Sequence, residues 1–66
     1  MQIILNGTPR DTVDGTDLLA LVRTVSDRET GIAVALNSAV VPRSAWPATA
    51  LADGDRIDVV TAVQGG

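Results

Sequence analysis

Only one stretch of this chain has the residue spacing of a helix, and strand-like stretches flank it on both sides. Its apolar residues recur at intervals of three and four: Leu18, Leu19, Val22 and Val25. This spacing predicts an amphipathic helix of about ten residues, with Thr16 as its N-cap and Asp17 complementing the helix dipole. Because one helix can cover one face of one sheet, the chain is expected to fold around a single helix-on-sheet interface.

The strand-like stretches give the element order strand, strand, helix, strand, strand, strand. The predicted strands cover residues 1–5, 8–13, 32–36, 39–41 and 56–63. Asn6 and Gly7 form the residue pair that tight hairpin turns prefer, and Pro9, which cannot donate to a ladder, should confine the second strand to a sheet edge. Residues 42–47 are expected to be irregular, with one short 3₁₀ turn. This order favours an α+β fold of the β-grasp (ubiquitin-like) type, a mixed sheet of about five strands covered by one main helix.

The size of the chain limits it to one domain. We expect a single domain over residues 1–66, in which residues 64–66 form a flexible C-terminal tail with nothing to pack against. No apolar run approaches the roughly 18 residues of a membrane span, and the N-terminal residues lack a basic leader. The chain has no cysteine and hence no disulfide. We therefore expect a cytoplasmic protein that does not bind membranes.

The composition excludes most side-chain chemistry. The chain has no His, Cys, Lys or Tyr, and these residues supply most nucleophiles, most general bases near neutral pH and the soft metal ligands. We therefore do not expect an enzyme, a bound cofactor or a metal site. Asp53 and Asp55 are expected to be solvated turn formers, because two turn aspartates without further carboxylates are only half of a metal site.

The charge pattern argues against nucleic acid as a partner. The net charge is −3, and the five cations are all arginines scattered along the chain. No basic stripe exists to neutralise phosphates, and no Phe or Tyr is present to stack on bases.

The last two residues, Gly65 and Gly66, are the strongest functional signal. Two terminal glycines occur by chance in about 0.5% of chains, and a frayed end is the alternative explanation. Glycine has no Cβ, so such a tail can enter a narrow slot in a partner enzyme and expose its carbonyl to attack. A carboxylate is a poor electrophile, but adenylation by ATP would convert that of Gly66 into a mixed anhydride that a sulfur nucleophile can open.

Two segments give the chain a specific resemblance to a known family: residues 31–37, and residues 40–44 followed by Trp46. Further matches lie at residues 6–7, 18–19, 51, 53–55 and 63–66. Together they resemble the thiamin-biosynthesis sulfur carriers of the ThiS family over essentially the whole chain. Residues 10–13 and Ala62 depart from the family pattern, but neither affects the expected chemistry.

The resemblance implies a sulfur-transfer cycle centred on Gly66. A ubiquitin-activating-type adenylyltransferase would use ATP to adenylate the carboxylate, and a sulfurtransferase or cysteine desulfurase would supply the sulfur of a thiocarboxylate. Thiazole synthase would then take that sulfur for the thiazole ring of thiamin. The chain would act as a carrier and co-substrate that presents Gln64, Gly65 and Gly66 to its partners' active sites.

Residues outside the tail are candidates for docking to these partners: Ile4, Arg43, Val60 and Ala62. If Ile57, Val59, Thr61 and Val63 face the helix, Val60 and Ala62 face outward, and the resemblance implies that the first strand, with Ile4, lies beside them. Arg43 either pins its loop or contacts a partner. Trp46, in the same loop, is expected to plug the core, with a partner surface as its alternative role.

Three other functions remain open on the sequence alone. The chain resembles the small subunit of molybdopterin synthase in its expected fold and tail, although it is short for that family. A ubiquitin-like protein modifier, joined through Gly66 to target lysines, is also compatible, and the absence of Lys excludes only lysine-linked chains of the protein itself. The third alternative is an interaction domain whose glycines are incidental.

Overall fold

The computed structural model describes residues 1–27 and 30–61, which form a mixed five-stranded sheet with one α-helix. The elements in chain order are β1 (Gln2–Leu5), β2 (Thr8–Asp11), α1 (Leu18–Val25), β3 (Ile32–Leu36), β4 (Ala39–Val40), a 3₁₀ helix (Arg43–Ala48) and β5 (Arg56–Thr61). The strand order is β2-β1-β5-β3-β4, with β1 and β5 parallel and the other neighbours antiparallel. The predicted β-grasp arrangement is confirmed, as is the edge position of β2.

Both hairpin turns have positive φ at their two central residues. The first, between β1 and β2, has φ values of 49° at Asn6 and 82° at Gly7, and the second, between β3 and β4, has 50° at Asn37 and 72° at Ser38. Two consecutive positive φ values are the mark of the type I′ turn, whose twist matches that of the flanking strands. The Asn-Gly prediction is therefore confirmed, and Asn37 with Ser38 forms the second such turn without a glycine.

Helix α1 begins one residue later than predicted, with Asp17 as its N-cap. The Asp17 carboxylate accepts a hydrogen bond from the Ala20 N–H at 2.8 Å. The prediction of Thr16 as N-cap was wrong because Thr16 closes the preceding turn, where its hydroxyl donates to the Val13 carbonyl at 2.6 Å.

The core lies between α1, the sheet and the 3₁₀ helix. Its buried residues are Ile3, Leu5, Leu18, Leu21, Val22, Val34, Trp46, Leu51 and Ile57. The helix therefore packs through Leu18, Leu21 and Val22, while Leu19 is half-buried at the side of that face. Val25, predicted on this apolar face, continues it, but as the last residue of α1 it is 42% exposed.

The alternation predicted for the last strand holds near its start. Ile57 is buried and Val59 packs against the core, whereas Val60 on the other face is exposed. Thr61, predicted to face the helix, is exposed at the end of β5. The predicted strand residue Val63 lies outside the described residues.

Trp46 fills the core beneath its own loop. Its side chain is 1% exposed, and the indole N–H donates to the Val41 carbonyl at 2.9 Å. A buried indole with its donor satisfied is a core residue. The predicted core role is therefore confirmed, and the alternative role at a partner surface is wrong.

Candidate functional site

The strand that leads to the candidate tail, β5, is the central strand of the sheet. It pairs with β1 on one side, where Leu5 lies opposite Ile57, and with β3 on the other, where Leu36 lies opposite the same residue. Ala62 and the tail residues Gln64, Gly65 and Gly66 lie outside the described residues. The assignment of Gly66 as the carrier residue therefore stays a prediction, and the described structure shows the strand from which the tail continues.

Both edges of β5 receive hydrogen bonds from hairpin-turn asparagines. On the β3 side, the Asn37 N–H donates to the Arg56 carbonyl at 2.8 Å, and the Asn37 side-chain oxygen accepts from the Arg56 N–H at 3.0 Å. On the β1 side, the Asn6 N–H donates to the Ile57 carbonyl at 2.9 Å, and the Asn6 side-chain oxygen accepts from the Val59 N–H at 2.8 Å. The two turns thus bond β5 at different residues, Arg56 on the β3 side and Ile57 and Val59 on the β1 side.

The predicted docking residues Ile4 and Val60 lie on the same face of the sheet but are not neighbours. Ile4 is half-buried opposite Arg56, and Val60 lies four residues further along β5, about 13 Å away at the usual rise per residue. Instead, Val60 lies opposite Ala33 of β3, and the 75%-exposed Val40 of β4 lies opposite Ala35. The exposed apolar surface next to the end of β5 is therefore shared with β3 and β4, and its role in docking stays a prediction.

Arg43 stacks on the core residue beneath it. Its guanidinium carbon lies 5.1 Å from the centre of the Trp46 ring. A cation over an aromatic face contributes about 0.5–1 kcal/mol at an exposed site. This contact confirms that Arg43 pins its loop, while its predicted contact with a partner is untested.

The turn aspartates both accept backbone hydrogen bonds. Asp53 accepts from the Gln2 N–H at 2.7 Å, and Asp55 accepts from the Ala52 N–H at 2.8 Å and from the Asn37 side-chain amide at 3.1 Å. The predicted turn-forming role is confirmed. Within residues 1–27 and 30–61, no group of three or more His, Cys, Asp and Glu residues could hold a metal ion.

One ion pair perturbs the charges at the start of β1. The Met1 ammonium donates to an Asp14 carboxylate oxygen at 2.8 Å and to the Thr12 carbonyl at 2.9 Å. The hydrogen bond to Asp14 raises the pKa of the Met1 amine above its usual value, and the same bond lowers the pKa of Asp14. Because β1 runs parallel to β5, Met1 lies at the end of the sheet opposite to Thr61.

No helix in the described part of the chain is long and apolar enough to cross a membrane.

Comparison with known proteins assigns the chain to a family. The model of the ThiS family matches residues 3–66, which include the candidate tail. The chain belongs to the ThiS family. The sulfur carrier protein ThiS of Escherichia coli K12 is 32% identical to it over 66 residues, which are 100% of both chains. A thiazole synthase of Magnetococcus marinus is 38% identical over 66 residues, and there this chain corresponds to only 20% of the longer protein.

Solved structures show the same fold in a member of the ThiS family. The crystal structure of the thiamine biosynthesis protein ThiS from Geobacter metallireducens has a TM-score of 0.79 and 34% identity, with 100% of both chains covered. The solution structure of a thiamine biosynthesis protein from the same organism has a TM-score of 0.80 and 28% identity, and covers 100% of this chain and 88% of that one.

Proposed function

We propose that this chain is a sulfur carrier for the thiazole ring of thiamin and that the carboxylate of Gly66 carries the sulfur. The observation that carries the proposal is the match to the ThiS family, which runs from the first strand to the last glycine. The composition supports it independently, because a chain without His, Cys, Lys or Tyr has few side chains that could form a covalent intermediate.

The chemistry needs activation of the carboxylate before sulfur can enter. A carboxylate oxygen of Gly66 would attack the α-phosphorus of ATP, so that pyrophosphate leaves and an acyl-adenylate forms. Sulfide, released by a thiol reductant from the persulfide of the sulfurtransferase or cysteine desulfurase, would then attack the carbonyl carbon. The carbonyl–adenylate bond would break, and AMP would leave a thiocarboxylate behind. The carrier binds no cofactor of its own in this scheme, since ATP is bound by the partner adenylyltransferase.

Thiazole synthase is the proposed acceptor of the sulfur. The support is the thiazole synthase of Magnetococcus marinus, one part of which resembles this chain along its whole length. Placing a carrier and its acceptor on one polypeptide raises their effective concentration to the millimolar range. The adenylyltransferase of the ubiquitin-activating type and the sulfurtransferase or cysteine desulfurase are the further partners that the proposed chemistry requires.

Mass spectrometry of the intact protein tests the proposal directly. We expect that incubation with such an adenylyltransferase, ATP and sulfide exchanges one oxygen for sulfur, and that fragmentation places the exchange in the C-terminal residue. Transfer of the sulfur atom to a thiazole product by thiazole synthase, and not to a pterin by molybdopterin synthase, would assign the pathway. An intact mass that never changes, with no AMP formed, would overturn the proposal.

A tail variant separates loss of transfer from loss of folding. Gly65→Ile should block adenylation, because a branched side chain cannot enter a slot that accepts glycine. Its melting temperature should equal that of the wild type, since the buried core of the described chain ends at Ile57. Val13→Ala is the control at an exposed position away from the sheet face that carries Val60, and it should change neither quantity. A Gly65→Ile variant that is adenylated at the wild-type rate would contradict the proposed role of the tail.

A further inference from the structure

The turn between β1 and β2 contains a residue pair that can react with itself. In any polypeptide, the amide nitrogen of the residue after an asparagine can attack the side-chain carbonyl carbon of that asparagine. Glycine hinders this attack least, because it has no side chain. The chain has two asparagines, which precede Gly7 and Ser38. Asn6 is therefore the more reactive of the two wherever the backbone is free to rotate.

The folded backbone keeps the reacting atoms of this pair apart. Asn6 has a φ of 49°, in the left-handed region, where ψ is about 30–60°. At such a ψ, the Gly7 nitrogen lies on the opposite side of the Asn6 Cα–C bond from the Asn6 Cβ. The attack needs both atoms on the same side. This bond must therefore rotate, and Gly7 must leave the turn, before a ring can close.

Strand β2 is the part of the hairpin that can move. Asn6 is held against β5 by two bonds, from its N–H to the Ile57 carbonyl at 2.9 Å and from the Val59 N–H to its side-chain oxygen at 2.8 Å. Gly7 leads instead into β2, which lies at the sheet edge and pairs with β1. A strand paired on one side opens at a lower free energy than the whole fold.

We propose that Asn6 is a site of spontaneous covalent modification that the fold keeps unreacted, and that opening of the β1–β2 hairpin at its turn releases it. After opening, the Gly7 nitrogen bonds to the Asn6 side-chain carbonyl carbon and loses its proton. The bond from that carbon to the side-chain nitrogen breaks, and ammonia leaves with the proton. Water then opens the resulting succinimide at either carbonyl, which gives aspartate or isoaspartate. This inference goes beyond the proposed function and does not depend on it.

The two products should affect the fold differently. In isoaspartate the main chain passes through the former side-chain carbon, so the turn gains one backbone atom and no longer fits a two-residue type I′ hairpin. The bonds to Ile57 and Val59 should then be lost. Aspartate keeps an acceptor oxygen and tolerates positive φ. The variant Asn6→Asp is therefore the control for the harmless product.

Peptide mapping follows the reaction at both asparagines in one sample. The protein is incubated in mildly alkaline buffer, either folded or in urea above its unfolding midpoint, and then cleaved after arginine. Cleavage after arginines 10, 28 and 43 places Asn6 in the peptide 1–10 and Asn37 in the peptide 29–43. Mass spectrometry detects the gain of one mass unit, and synthetic peptides identify aspartate and isoaspartate by chromatography.

In urea, Asn6 should be modified faster than Asn37, and isoaspartate should form. Folding should slow the reaction at Asn6 by at least about 5-fold, because opening the hairpin end breaks the two hydrogen bonds that close it. The isoaspartate product should melt at a lower temperature than Asn6→Asp. Equal rates in folded and unfolded protein, or a faster reaction at Asn37 in urea, would overturn the proposal, as would an isoaspartate product that melts with Asn6→Asp.

The variant Asp17→Ala tests the route of opening. It weakens the whole fold by removing the N-cap of α1, outside the hairpin. Opening of the hairpin end alone predicts an unchanged rate at Asn6 in the folded variant. A rise by about 2- to 30-fold, the factor by which the lost cap favours global unfolding, would overturn hairpin opening as the route.

Discussion

Replacing Trp46 by Phe should cost a large part of the stability of this domain. The indole is 1% exposed in the core and donates its N–H to the Val41 carbonyl at 2.9 Å. Phenylalanine keeps one aromatic ring but removes the donor and the volume of the second ring. The Val41 carbonyl then loses its partner, and a cavity opens beneath the 3₁₀ helix.

The magnitude follows from these two losses. Leaving the part-buried Val41 carbonyl without its donor costs about 1–3 kcal/mol. A residual cavity of roughly 40 Å³, at about 24 cal/mol per Å³, adds about 1 kcal/mol. A chain of this size has a total stability of about 3–5 kcal/mol, so a loss of about 2–4 kcal/mol would leave the variant marginally folded. The melting temperature should fall by roughly 10–25 °C.

Far-UV circular dichroism in thermal and urea unfolding is the appropriate assay, because the chain contains one Trp and the variant has lost that fluorophore. Val40→Ala, at a side chain that is 75% exposed, is the control and should change the unfolding free energy by less than about 0.5 kcal/mol. If Trp46→Phe unfolds at the wild-type midpoint, the packing of the indole and its hydrogen bond do not stabilise the fold as argued.

Three further predictions concern the helix and the ion pair between Met1 and Asp14. Leu21→Ala should cost about 2–5 kcal/mol in urea unfolding, because Leu21 is buried, whereas Val25→Ala, at an exposed position, should cost less than about 1 kcal/mol; equal losses would contradict the observed helix face. Asp17→Ala should cost about 0.5–2 kcal/mol by removing the N-cap, and Asp17→Asn should recover most of it. The Asp14 pKa is lowered and the Met1 amine pKa is raised by their mutual hydrogen bond, so the pair stabilises the fold fully between the usual values of 3.8 and 8.0. Its contribution is lost as the pH falls through the folded pKa of Asp14 or rises through that of Met1. The difference in melting temperature between the wild type and Asp14→Asn should therefore be largest inside that window, and a pH-independent difference would exclude the ion pair as its cause.

The fold could be predicted because its signals are local. Asn6 and Gly7 specify a tight turn through their tolerance of positive φ, and Pro9 is compatible only with an edge strand. The alternation of large and small residues over residues 32–36 assigns one face of β3 to the core, where Val34 is buried. Each of these inferences needs only a few neighbouring residues, and each agrees with the structure.

One error is local, and the other depends on distant parts of the chain. Thr and Asp are both favoured at the N-cap. In the structure the Thr16 hydroxyl bonds the Val13 carbonyl, and the Asp17 carboxylate caps the helix. Ile4 and Val60 were correctly assigned to one face, but their separation depends on the register between β1 and β5. The alternation of apolar and polar residues within either strand does not determine the register between two strands that are far apart in sequence.

The contact between Asn6 and Val59 was missed because it joins residues far apart in sequence. The local signal of Asn6 is completely explained by the turn, and nothing nearby indicates that its side chain also bonds Val59, 53 residues away. A signal does exist in hindsight: both hairpin turns place Asn at their first central position, although Gly is equally able to adopt positive φ there. When two turns in one chain use a residue that can accept hydrogen bonds at the same position, a tertiary contact of the side chain is worth testing.

A carrier whose reactive group is its own C-terminus does not need reactive side chains. The residue that reacts needs no neighbouring acid or base, so the chain can lack His, Cys, Lys and Tyr without loss of function. What it does require is that the last strand stay in place while a partner acts on the tail. Strand β5 meets this requirement because it is central: Ile57 is buried, β1 and β3 flank it, and an asparagine bonds it on each side. An edge strand is paired on one side only, so it would separate from its sheet more readily than β5. Under the proposed function, the tail therefore follows the strand of the described sheet that is paired on both sides.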